Sequence, residues 1–212
     1  MKKFELTSEF VTFLGKKLFR IKALVAFGGV KEGELGGFVE KEENLDQSGD
    51  AWVSGNARVY GNARVSGNAW VSGNAWVYGN AWVYGNALVS GDAQVYGNAL
   101  VSGDAQVYGD AWVYGDAQVY GDAWVYGAAR VYGNAWVQCC RDYSATSCFG
   151  SENRTTTFFR TKDNGISVRC GCFYGTLEEF REKVKERHGD SRLAKEYLML
   201  ADLMEFRLSK DE

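Results

Sequence analysis

Between Gly49 and Gln138 one six-residue phrase, Gly-Asn/Asp-Ala-x-Val-Tyr/Ser, recurs fifteen times without insertion or deletion; only Ala128 departs from the second position and Gln138 from the last. Alanine fills the third place and valine the fifth in every copy. On an extended segment those two side chains point to one side and the variable residue between them points to the other. Glycine followed by asparagine or aspartate supplies residues that readily take left-handed backbone, so a corner follows each short strand and the chain winds into a coil. One such coil cannot bury its own apolar side, but stacked coils bury a continuous one. The expected fold is therefore mainly β: a parallel β-helix of about five triangular coils, three hexads to a coil, roughly 24 Å long at about 4.8 Å per coil.

Stacking every third hexad sorts the outward residues into three ladders. The first holds Trp52, Trp70, Leu88, Gln106 and Trp124; the second Arg58, Trp76, Gln94, Trp112 and Arg130; the third Arg64, Trp82, Leu100, Gln118 and Trp136. All seven tryptophans of the chain fall on these ladders. The corner beside the second ladder is tyrosine in every coil: Tyr60, Tyr78, Tyr96, Tyr114 and Tyr132. Aromatics stacked at strand spacing stabilise a solenoid by about 0.2 to 1 kcal/mol per neighbouring pair. So much outward indole nevertheless exceeds what a monomer ordinarily leaves in water. Another copy of the chain, or the chain's own ends, is expected to cover it, with Trp76, Trp112 and the five tyrosines as candidate contact residues and a dimer or trimer as the assembly.

A solenoid needs capped ends. Residues 1–48 read as a strand-rich N-terminal cap, because LFRIKALVAF alternates with Phe19, Ile21, Ala23, Val25 and Phe27 on one face. Residues 139–149 read as a linker. The segment 150–212 reads as a small α+β module: a hairpin turning at Asp163-Asn164-Gly165, then a helix over 177–188 opened by the Thr176/Glu179 capping box and stopped by Gly189. A second helix is expected from about Arg192, with Leu193, Tyr197, Leu200, Ala201, Met204 and Leu208 at helical spacing.

The repeat resembles the hexapeptide repeat of the left-handed β-helix proteins, and that resemblance implies the hand of the coil. It differs in one respect: glycine here follows the Tyr/Ser position, whereas many acyltransferases of that class place it directly after the aliphatic residue. The stretch RIKALVAFGGVKEGELGGFVEKEENL, together with GNARVYGNARV, is similar to proteins found widely in phages and prophages and labelled as transferases or polymer-forming cytoskeletal proteins. The likeness covers essentially the whole chain.

Chemistry narrows the function. The acyltransferases of that architecture depend on a histidine base beside the coils and its carbonic anhydrases on three histidine ligands, but the only histidine here is His188, outside the repeat. Cys139, Cys140, Cys148, Cys170 and Cys172 lack C-x₂-C spacing, so neither a metal site nor a cofactor is expected; Cys170 and Cys172 share a face with Ile166 and Val168 and read as small apolar side chains. An anion site is conceivable where Arg154 and Arg160 of the hairpin approach Thr176 at the helix start. Asp92, Asp104, Asp110, Asp116 and Asp122 read as solubilising corners. A formal charge of −3 without a basic patch argues against nucleic acid as a partner. No apolar run reaches the roughly 18 residues that span a bilayer, and MKKFELTSEF lacks the apolar core of a signal peptide, so a soluble protein of the cytoplasm, the host's if phage-encoded, is expected. The expectation is a non-catalytic binding or scaffold protein that meets a host protein or a small nucleotide-like ligand, conceivably against host defence; the alternative is a degenerate acyltransferase using acyl-CoA.

Overall fold

The computed structural model describes residues 2–209. The fifteen hexads form fifteen two-residue strands, β4 (Trp52–Val53) to β18 (Trp136–Val137), one every six residues. Each pairs in parallel with the strand eighteen residues away, as Arg58 does with Trp76 and Trp76 with Gln94. Three ladders result, in the grouping expected from the phrase. Every repeat alanine and valine is at most 1% exposed, making one continuous interior. Most coil-to-coil hydrogen bonds run forward: Trp70, Ser72 and Asn74 donate their backbone N–H groups to Ala87, Val89 and Gly91 of the following coil at 2.8–2.9 Å.

The corners divide their labour more sharply than residue type suggests. The repeat glycines alone turn left-handed, with φ between +63° and +73°. They also stack closely: a Cβ on Gly85 would lie 2.9 Å from the backbone nitrogen of Gly103. The residue after each glycine does not share the left-handed backbone expected of it. Its amide instead makes a ladder, in which Asn62 Nδ2 donates to Asn80, Asn80 to Asn98, and Asn98 to Asp116 at 2.9–3.2 Å. The other two columns run Asn56, Asn74, Asp92 and Asn68, Asn86, Asp104. A carboxylate accepts but cannot donate, so each run of donors ends where aspartate first appears.

The N-terminal segment contributes more than a lid. β1 (Phe4–Phe13) and β2 (Lys16–Ala23) form an antiparallel hairpin, and β3 (Leu35–Val39) joins β2 to the second ladder by pairing in parallel with Arg58–Val59. Leu45 bridges Val65 in parallel, so these residues supply two faces of an additional coil and the solenoid runs to about six turns. β2 ends at Ala23, short of the expected alternation: Val25 and Phe27 lie beyond it, and Leu18 and Ile21, three residues apart, bury on opposite sides.

The two ends satisfy opposite needs. The first coil offers carbonyls that no earlier coil can reach. Lys3, buried, donates its ammonium to Ser48, Gly49 and Ala51 carbonyls at 3.4, 3.2 and 2.9 Å, and Asn44 Nδ2 donates to Gly61 and Ala63 at 3.1 and 2.8 Å. The last coil offers unpaired N–H groups. Asp142 Oδ2 accepts from Gln138 and Cys139 at 2.9 and 3.0 Å, and Thr157 Oγ1 accepts from Arg130 at 3.1 Å. Tyr143 and Phe159 close the apolar interior there.

Residues 143–149, expected as linker, belong to strand β19 (Tyr143–Phe149), because pairing with β20 (Arg154–Arg160) continues the closure of the last coil. β21 (Ile166–Cys170) and β22 (Phe173–Thr176) complete a four-stranded antiparallel sheet. Helices α1 (Leu177–His188) and α2 (Arg192–Leu208) pack on it around Phe158, Val168, Phe180 and Tyr197. Among the described residues no helix is long and apolar enough to cross a membrane.

Replacing Lys3 with methionine strands three buried carbonyls at the first coil, and the expected loss is about 1–3 kcal/mol of stability. Urea denaturation of the variant and the parent checks it; an unchanged midpoint would mean that water satisfies those carbonyls.

Candidate binding surface

The tyrosine corners form a single stack. Tyr60, Tyr78, Tyr96, Tyr114 and Tyr132 lie ring on ring with centroids 4.5–5.0 Å apart and planes within 1–5°. Coil spacing enforces this arrangement, since each ring leaves the same backbone position one coil on. Both ends of the stack are sealed by the chain itself. Phe13 meets Tyr60 edge-on at 5.8 Å, and Tyr174 packs on Tyr132 at 4.2 Å. Burial, with neighbouring phenols as a secondary cause, pushes Tyr78 and Tyr96 up to about 12. Burial does the same for Tyr132, also to about 12, against the opposing Arg169 guanidinium.

The two indoles of this ladder are also occupied. Phe13 sits 4.7 Å from Trp76, whose other neighbour is the Arg58 guanidinium at 5.6 Å. Arg130 lies 3.9 Å over Trp112. Tyr60 is buried, and Trp76, Trp112 and the other four tyrosines are half-buried, covered in part by the chain's own ends, one of the two expected covers. The sequence lacked the signal for this, because Phe13, Arg169 and Tyr174 come from the irregular ends.

Nor do all tryptophans face water. Trp52 is fully buried under Phe27 of the N-terminal cap, 5.4 Å away. Trp70 and Trp82 donate their indole N–H groups to Ser54 and Ser66 of the preceding coil at 3.1 and 3.0 Å, which explains why serine recurs at those corners. What remains open on the solenoid is Trp82 on the third ladder, at 43% exposure despite its bond to Ser66, and Leu88, Trp124 and its corner Tyr126 on the first, at 41%, 46% and 51%. Arg207 of α2 shares a cleft with Trp124 and Tyr126. Beside it on the outer side of α2 stand Phe206, Leu203 and Met199, at 83%, 56% and 71% exposure and at helical spacing.

Arg154, Arg160 and Thr176 do not converge. Arg160 is committed to Asp142 at 3.2 Å and to the carbonyls of Leu208 and Ser209 at 2.6 and 3.0 Å, tying α2 to the solenoid cap. Arg154 stands at the far end of the same strand, exposed, 3.8 Å from Glu152. The Thr176 N–H donates to Glu179 Oε2 at 2.8 Å, so a carboxylate of the helix itself fills the place an anion would take. Of the cysteines, Cys170 accepts from Thr156 Oγ1 at 3.2 Å and packs on the module core, while Cys172 sits exposed in the turn after β21, because the strand ends before the alternation reaches it. His188 stacks on Tyr197 at 5.7 Å.

The phenol shifts set a direction for alkaline pH. Folded phenols hold their protons above the ordinary value of about 10, so their stabilisation is complete below that pH and lost as pH rises through about 12. Spectrophotometric titration should show a group of tyrosines ionising late, together with a falling melting temperature above pH 10. Uniform ionisation near pH 10 in the folded protein would contradict the stack.

A sequence-family description, the YdcK beta solenoid repeat, matches residues 51–67, 57–73, 69–85, 93–109, 105–121 and 117–133, all within the coils. No curated protein matches the chain. Hexad spacing, parallel pairing at eighteen residues and this family match agree: the chain is a β-solenoid repeat protein.

Proposed function

We propose that this chain is a non-catalytic binding scaffold that self-associates through its first ladder and the outer side of α2, and holds the rest of its C-terminal module out to a partner. The observation that carries the reading is the exposure of apolar side chains in two groups, Leu88, Trp124 and Tyr126 on the first ladder and Met199, Leu203 and Phe206 on α2. Together they amount to roughly 700 Å² of accessible surface, near the about 800 Å² per partner of a standard interface. Patches of that size on soluble proteins mark contact sites. The likeness to phage-type proteins supports a setting in which the partner is a host protein or a small nucleotide-like ligand.

Binding is favoured over acyl transfer by the solenoid itself. Its strands follow one another every six residues from Trp52 to Val137, with no inserted loop to shape an acyl-CoA site and no imidazole to serve as base.

Light scattering of the purified chain should give two or three times the monomer mass of 23.5 kDa. Trp124→Gln with Phe206→Gln should return it to one. A parent protein that is monomeric at micromolar concentration, or a double variant that keeps its mass, removes the interface.

A further inference from the structure

The C-terminal module contains a cleft of about 540 Å³, a volume typical of small-molecule sites. Two turns and one helix face frame it. The β19–β20 and β21–β22 turns lie at the end of the sheet opposite the turn that bonds to Asn134 through the Lys162 N–H at 3.0 Å, and one lining residue, Tyr174, also packs on Tyr132 of the solenoid at 4.2 Å. On α1, Phe180, Lys183, Val184, Arg187 and His188 line the cleft at helical spacing. Phe180 and Val184 are buried beneath it, and Lys183 and Arg187 stand exposed at the rim.

The lining combines aromatic walls with positive charge. Half-buried Phe149 and Phe173 face inward with the floor residues Phe180 and Tyr197, in tilted or edge-on contacts at 5.5–6.3 Å. Arg154 joins Lys183 and Arg187, while the single lining carboxylate is Glu152. The acidic neighbours hold these cations weakly. The Arg154–Glu152 and Lys183–Glu186 pairs are both solvent-exposed, a class worth about 1 kcal/mol or less, and Arg187 has no ion-pair partner among the described residues. Cations in the last turn of a helix complement its dipole. That accounts for Arg187 but not for Arg154, which arrives from a different element.

One turn residue, Cys148, holds a left-handed backbone that its type rarely adopts. Cys148 and Asn153 have φ of +58° and +48°, flanking Gly150 at +73°, and Gly171 has +57° in the facing turn. Left-handed backbone at non-glycine residues is sparsely populated and gathers at binding sites when the surroundings enforce it. The β19–β20 turn is tied to α2 here, the Tyr197 hydroxyl accepting from the Ser151 N–H at 3.2 Å.

We infer that this cleft binds a small phosphate-bearing ligand with a planar aromatic ring, the size of a mononucleotide. The ring lies among Phe149, Phe173 and Tyr197, and the phosphate, a dianion matched to more than one cation, faces Arg154, Lys183 and Arg187. The inference rests on the module being the part that meets a ligand and needs no self-association.

Calorimetric titration of the full chain with adenosine 5′-monophosphate, adenosine and inorganic phosphate tests it. The monophosphate should bind saturably, with adenosine and phosphate each weaker by about tenfold or more. Lys183→Gln with Arg187→Gln, on solvent-exposed positions that leave the core intact, should weaken the monophosphate by at least about tenfold without changing the circular dichroism spectrum. No saturable binding of the monophosphate, equal affinity for adenosine, or unchanged affinity in the double variant overturns the inference. Trp124→Gln with Phe206→Gln keeps the two readings apart: it should abolish assembly and leave monophosphate affinity as in the parent. Assembly without monophosphate binding sinks this inference alone, and binding by a monomeric parent sinks only the scaffold.

Discussion

Everything in this structure depends on the hydrogen bond from each coil to the next, repeated at an offset of eighteen residues. It fixes alanine over alanine and valine over valine, and so leaves room for nothing larger in the interior. It brings successive glycines within van der Waals limits, which is why a side chain there meets backbone as well as an unfavourable φ. The same offset places tyrosine on tyrosine and amide on amide, although neither arrangement enters the interior. Surface order in this molecule is a consequence of the backbone ladder.

Direction follows from the same bond. Because the N–H groups at the variable, corner and Asn/Asp positions donate forward, the two ends differ chemically, one with more free carbonyls and the other with more free N–H groups. The chain meets the first with Lys3 and Asn44 and the second with Asp142 and Thr157. The side-chain ladders obey the same polarity, their donor runs ending at aspartate. Arg160 then couples the closure to the module by binding both Asp142 and the last carbonyls of α2.

How much of this was legible in the sequence follows from where periodicity holds. The phrase itself dictated strand length, pairing offset, interior residues and the three ladders. The capping box and the Asp163-Asn164-Gly165 turn did the same for α1 and its hairpin, since both are local devices whose geometry is set within a few residues. Three features were out of reach because they join distant segments. Nothing in Trp52 separates it from Trp70 until Phe27 folds over it. The run after Gln138 has no regular alternation, and it becomes a strand only because β20 offers an edge. Which of the two expected covers Trp76 and Trp112 receive was not legible for the same reason: Phe13 comes from the irregular N-terminal end and packs on Trp76, and Arg58 and Arg130 lie over the two indoles.

The eighteen-residue offset also makes the rod modular in length. One whole coil can be duplicated or deleted in the middle of the repeat, and every remaining coil still finds the neighbour it requires, with both closures untouched. Deletion of a single hexad has no such tolerance, because it rotates everything downstream by one face and sets the C-terminal sheet against the wrong side of the prism. Evolution of this chain would therefore be expected to proceed in steps of three hexads, turning the distance between its two ends into a quantity that changes in increments of about 4.8 Å.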